Sequence, residues 1–145
     1  MKYFKFLVVI FLLPLFSCDN DDNATTNQPS NTCGEAVIVN QNKFEYESDD
    51  AHTVNSVTLE GNCLIINFSA SGCDGSNWEV KLIASEAVAE SLPPQRYLRI
   101  SLLNPELCDA YITKTIDFDI SGVQIDESPI LLNFEDYEDA ILYEY

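Results

Sequence analysis

Asp117 and Asp119 lie two residues apart in a run that alternates apolar and polar side chains, so both carboxylates leave one face of a strand. Paired carboxylates hydrolyse glycosides when a second strand sets their separation, and they bind Ca²⁺ when carbonyl oxygens complete the shell. The same alternation places Phe118 and Ile120 on the other face. The expected reading is therefore the solvated side of a half-buried strand.

His52 is the only histidine and follows Asp49-Asp50, the residue types of a hydrolytic dyad. No G-x-S-x-G elbow or other nucleophile context accompanies it, so a solvated loop histidine is expected. Asp74, Ser76 and Asn77 stand beside Trp78, on a loop that Cys73 can pin. Polar groups on a loop carried by a rigid scaffold, next to a large aromatic face, make this the candidate ligand-binding cluster. Against it, Asp-Gly and Ser-Asn are ordinary turn chemistry, and Trp78 has the phase of Val80 and Leu82, which is that of a core residue. Arg96 and Arg99 offer cations for an anionic ligand or, in so acidic a chain, for neighbouring Asp and Glu. Tyr111, Tyr137, Tyr143 and Tyr145 offer stacking faces for sugars, although tyrosine is also a favoured strand residue.

These groups need a framework, and from Cys33 onward the period is two. Val37–Val39 and Phe44–Tyr46 read as short strands around the turn Asn40-Gln41-Asn42. Val54–Glu60 and Cys63–Ser69, joined by Gly61-Asn62, form the clearest hairpin, with Leu64, Ile66 and Phe68 on one face. Further strands are expected at 78–84, 97–103, 112–120, 130–134 and 141–145; Lys114 interrupts the apolar row of its strand and signals a bulge or an edge. Glu86–Leu92 reads as a helical turn ended by Pro93-Pro94. The result is an all-β fold, an antiparallel β-sandwich of about eight strands, with a small β-barrel as the alternative.

Cys33, Cys63, Cys73 and Cys108 are spaced by 30, 10 and 35 residues, too widely for the close pairs of a zinc site. An even number in an exported domain argues for two disulfides, of which three connectivities are open. If the strands at 78–84 and 97–103 are antiparallel, the loops holding Cys73 and Cys108 meet at one end. The preferred pairs are therefore Cys73–Cys108 and Cys33–Cys63. The order Cys63, Trp78, Cys108 resembles that of the immunoglobulin fold, but the tyrosine corner of that family would fall on Glu106.

Lys2 and Lys5 precede an apolar run from Phe6 to Phe16, broken by Pro14 and too short for the ~20 residues of a spanning helix. This is the grammar of a signal peptide. Its end, Leu15-Phe16-Ser17-Cys18, resembles the bacterial lipobox. That resemblance implies cleavage before Cys18, a thioether-linked diacylglycerol on it and a further acyl chain, such as palmitate, on the new amino terminus. More than one chain anchors stably. Asp19-Asn20-Asp21-Asp22-Asn23 resembles the acidic export signal that sends lipoproteins of Bacteroidota to the outer face of the outer membrane. As an EF-hand loop the same stretch fails, since Ala24 and Ser30 stand where Gly and Glu are required. Three segments are expected: a signal peptide over 1–17, a polar, acidic and disordered tether over 18–32, and a β domain over 33–145.

The signal holds two of the seven Lys and Arg and none of the 24 Asp and Glu. The chain from Cys18 onward carries five basic against 24 acidic residues, a formal charge of −19. This excludes nucleic acid as a partner, because a phosphate backbone requires clustered Lys and Arg. The expected protein is a non-catalytic lipoprotein, held at the outer membrane through Cys18 and facing the cell exterior. Its sandwich would bind an extracellular ligand or serve an outer-membrane protein complex. A secreted acidic hydrolase and a purely structural envelope protein are the alternatives. No cofactor is expected; Ca²⁺ is the metal that the acidity would admit.

Overall fold

The computed structural model describes residues 33–145. The expectations for the signal, Cys18 and the acidic tether lie outside the described residues. Two sheets face each other. The first has the order β1 (Glu35–Ala36), β7 (Ala110–Asp119), β4 (Cys63–Gly72) and β3 (His52–Glu60); the second has β2 (Ile38–Val39), β5 (Glu79–Ala89), β6 (Gln95–Leu103), β8 (Ile130–Phe134) and β9 (Ile141–Tyr143). The sandwich expected from the alternation is present, and the sheets do not close into a barrel.

Alternation builds the core directly. Leu64, Ile66 and Phe68 of β4 and Phe118 of β7 are at most 1% exposed, as are Leu82 of β5, Leu98, Ile100 and Leu102 of β6, and Ile130 and Leu132 of β8. Each such side chain stabilises the fold by ~1.5–3 kcal/mol relative to exposure. Both expected disulfides form: Cys33–Cys63 joins β4 to the segment before β1, and Cys73–Cys108 clips the loops after β4 and β6.

Four expectations are corrected. The sheets are mixed rather than antiparallel, because β1 runs parallel to β7, β2 to β5, and β8 to β6. Of the expected strand at 37–39 only Ile38–Val39 forms, as β2; β1 precedes it at Glu35–Ala36 on the other sheet, and the chain crosses at Val37, whose N–H donates to Asp119 O. Phe44–Tyr46 is not a strand but the end of α1 (Gln41–Tyr46). Asn40 caps its start by accepting the Lys43 N–H at 2.8 Å, and Arg99 donates to its last carbonyls, with Nε on Phe44 O at 2.8 Å and Nη2 on Lys43 O at 3.0 Å and Glu47 O at 2.9 Å. The helix packs on β5, whose Ile83 is fully buried on the outer face of the second sheet. Tertiary capping thus overrides the β propensity of Phe44 and Tyr46. Finally, Glu86–Leu92 is not a helical turn. β5 continues to Ala89 across an irregularity between Ala84 and Val88, where Gln41 Oε1 accepts the N–H groups of Glu86 and Ala87.

Lys114 marks an edge, not a bulge. β7 pairs with β4 without interruption from Asp119 to Ala110, while on its other side β1 covers only Phe118 and Asp119. The Lys114 side chain turns inward, its ammonium donating to Gly75 O and lying 5.5 Å from the Trp78 ring. An inward charge on an edge strand opposes strand addition by another chain. The bulge falls instead at Asn55 of β3, between Val54 and Ser56.

Candidate functional site

The cluster Asp74, Ser76, Asn77 and Trp78 is brought together by the Cys73–Cys108 bridge, but its polar groups point into its own loop. Glu106, on the facing loop, is the organising residue. Its Oε2 accepts the backbone N–H groups of Cys73 at 2.6 Å, Gly75 at 2.9 Å and Asp74 at 3.2 Å, and its Oε1 accepts that of Asn77 at 3.2 Å. Gly75, at φ +70, supplies the left-handed step that curls the loop. Desolvation works against the Glu106 charge, yet the N–H groups of Gly75, Cys73, Asn77 and Asp74 outweigh it and bring the carboxyl down to about 2. The loop is a backbone anion nest whose anion is a side chain of the same protein. Asp74 closes an Asx turn on the Ser76 N–H at 2.8 Å. The Ser76 hydroxyl and N–H hold the Asp74 carboxyl below its ordinary value.

Trp78 behaves as its phase implies, packing on the core with its ring 5.8 Å from Phe68. Its exposed side opens onto a cleft of about 600 Å³ between the unpaired margins of β5 and β7. Phe68, Trp78, Val80 and Ile116 supply apolar walls; Glu79, Lys81, Lys114 and Asp117 supply charge. Gly34 closes one end so tightly that a Cβ there would lie 2.1 Å from Asp117 O.

Asp117 and Asp119 do share the outer face of β7, and each serves the chain locally. Asp117 Oδ2 accepts the Gly34 N–H at 2.7 Å and Asp119 Oδ1 that of Ser121 at 2.9 Å. With Glu60 they border a second depression, of about 740 Å³, beside Cys33 and Cys63. The two cysteines and Asp117 fall within 4.8 Å of one another, as metal ligands would, but both sulfurs are bonded to each other. The carboxyl pushed upward is Glu135, through burial, and it lines neither depression.

His52 is not in a solvated loop. It opens β3 with its side chain 6% exposed and its ring edge-on to Phe68, while Nδ1 lies 3.0 Å from Asp50 O and 3.3 Å from Asp49 Oδ1. The two aspartates are structural as well, since Asp49 accepts the Leu102 N–H at 2.8 Å and Asp50 that of Asn104 at 2.7 Å. Arg99 pairs with Asp49 at 3.5 Å, but Arg96, 7% exposed, has no carboxylate partner among the described residues, and its Nε is buried without a hydrogen bond. Burial pulls the Arg96 guanidinium below its ordinary value.

The tyrosines separate by exposure. Tyr143 is fully buried, donating to Asn62 Oδ1 and accepting from Gln124, each at 2.7 Å; Tyr137 packs against the core. Tyr145 leans on Tyr143 and donates to Glu127 O at 2.6 Å. Tyr111 is 66% exposed and presents its ring to solvent.

No protein-family model and no curated protein matches this chain. Its fold is similar to a crystal structure of a protein of unknown function, DUF1344, from Bacteroides vulgatus ATCC 8482, with a TM-score of 0.50 and 13% sequence identity. The alignment covers 77% of this chain and 56% of the other, so the chain spans little more than half the length of that protein. The likeness is one of fold.

Proposed function

We propose that the protein is an exported lipoprotein, anchored through Cys18 at the outer membrane and facing the exterior, whose β-sandwich is a non-catalytic binding module. The observation that carries the binding role is the cleft between β5 and β7, walled by Phe68, Trp78, Val80 and Ile116. A concave site with apolar walls and a few charged groups at its margin suits recognition. Acid–base catalysis asks for convergent groups whose environments push their pKa values apart. Here Asp117 and Asp119 each accept a backbone N–H, and Glu106 is held as a carboxylate by four. The anchoring role rests on the lipobox resemblance of Leu15-Phe16-Ser17-Cys18.

The test is crosslinking and capture from intact cells, with the anchored protein as bait and two controls, Cys18→Ala and Glu79→Arg. The second places a bulky cation on the exposed rim of the cleft. A partner enriched by the wild type and lost with Glu79→Arg supports binding at the cleft. Identical captures by all three forms refute it.

A further inference from the structure

The outer face of the first sheet differs in kind from the rest of this acidic molecule. Along β3, β4 and β7 the outward residues form one hydrogen-bonded lattice. Asn55 Nδ2 donates to Asn67 Oδ1 at 2.9 Å and to Ser69 Oγ at 2.8 Å, Asn67 Nδ2 donates to Thr115 Oγ1 at 2.8 Å, and the hydroxyls of Ser69 and Thr113 meet at 2.8 Å. The bulge at Asn55 makes the lattice continuous, because it turns that side chain over both Asn67 and Ser69. Tyr111, two residues before Thr113 and opposite Ser71, shares this face. None of these side chains is charged, in a chain with 24 Asp and Glu. Within the paired stretches of β3, β4 and β7, acids return only in the rows beyond, at Asp117, Asp119 and Glu60.

We infer that this face binds a neutral polysaccharide, seated on Asn55, Asn67, Thr113 and Thr115 and stacked on Tyr111, with Ser69, 2% exposed, bracing Asn55 and Thr113 from beneath. Three strands about 4.8 Å apart, and the four-residue step from Tyr111 to Thr115, give a platform on the order of 10 by 13 Å, the footprint of a short oligosaccharide. Hydroxyls and amides match sugar hydroxyls as donors and acceptors. Their mutual bonds fix the rotamers before a ligand arrives, which lowers the ordering cost of binding. An exposed aromatic ring adds an apolar stacking surface. The surrounding negative field disfavours anionic chains and leaves neutral ones indifferent. Strand addition along the β7 edge is opposed by the inward Lys114.

The experiment is affinity electrophoresis of the chain from residue 18 onward, carrying Cys18→Ala, in gels containing hydroxyethylcellulose, soluble starch, galactomannan, xylan or polygalacturonate. The expected result is retardation by at least one neutral polysaccharide and none by polygalacturonate. Tyr111→Ala should weaken retardation about tenfold, as removal of an aromatic anchor does, and Thr113→Glu should abolish it. Tyr97→Ala, exposed on the second sheet, and Glu79→Arg, on the cleft rim, should leave it unchanged. The proposal is overturned by a lack of retardation in every neutral gel, by full retardation of Tyr111→Ala, or by self-association that Thr113→Glu abolishes, which would assign the face to a second copy. Because Glu79→Arg reads the cleft and Tyr111→Ala this face, either reading can fail without the other.

Discussion

Glu106 accepts the backbone N–H of Cys73 at 2.6 Å, two residues before Cys108, to which Cys73 is covalently bonded. The two loops at that end of the sandwich are thus joined twice, by a disulfide and by a carboxylate seated in the curl of backbone from Cys73 to Asn77. The second joint depends on charge. The folded Glu106 carboxyl is lowered from 4.5 to about 2, so its contribution is fully present above about pH 4.5 and is lost as the pH falls through about 2. Amide hydrogen exchange at residues 73–77 should accelerate across that window relative to β4 and β6. Glu106→Gln, which has one acceptor oxygen where four donors converge, should show the faster exchange already at neutral pH. Unchanged protection in Glu106→Gln would refute the role of the carboxylate.

Each disulfide closes a loop, of 30 residues for Cys33–Cys63 and 35 for Cys73–Cys108. Replacing either pair by alanines should cost ~3–4 kcal/mol in urea denaturation. Non-reducing peptide mapping of the mature protein should return these two bridges and no free thiol at the four positions.

The two buried arginines should respond in opposite ways. Arg99→Met strips the carbonyls of Lys43, Phe44 and Glu47 of their donor and should cost ~1–3 kcal/mol with loss of α1. Arg99→Lys should not restore it, since an ammonium cannot reproduce the planar fork. Arg96→Met removes a buried guanidinium that has no carboxylate partner among the described residues, and stability should be unchanged or higher. Equal losses at the two positions would contradict the difference in their surroundings.

Gly34→Ala should detach β1 from β7, because the new Cβ would fall 2.1 Å from a backbone oxygen that cannot yield as a side chain does. A loss of ~1–3 kcal/mol is expected, with faster proteolysis between Cys33 and Val39.

Cys18→Ala should move the protein from the membrane fraction to the soluble fraction. Unchanged sedimentation with membranes would refute lipidation as the anchor.

The alternation of Leu64, Ile66 and Phe68, and of Leu98, Ile100 and Leu102, was enough to place the central strands and their buried faces, and the meeting of the loops around Cys73 and Cys108 was enough to rank the bridges. Local signals failed where a distant residue decides the outcome. Nothing in Phe44-Glu45-Tyr46 announces a helix whose carbonyls accept from Arg99, more than fifty residues away. The split at Val37 is equally silent, since two-residue strands carry no period. The loop from Cys73 to Asn77 was legible as a place where polar groups gather, but not as one already filled. The sign of that was Glu106, an acid two residues before the cysteine that clips a glycine-containing turn, where its carboxylate can meet unpaired N–H groups. The want of a nucleophile beside His52 suggests a solvated loop, but that absence says nothing of burial: the His52 ring packs edge-on to Phe68 while Asp49 and Asp50, themselves exposed, hold its Nδ1 side and the end of β6.

The bridge from Cys33 to Cys63 also has a mechanical meaning. A pull on the chain ahead of Cys33 would, without it, act first on β1 and β2, which hold by two residues each and could be peeled away in sequence. With it, the load passes through sulfur into the first residue of β4, a ten-residue strand flanked on both sides by β3 and β7. The load then enters at the centre of the sheet and bypasses the crossing at Val37.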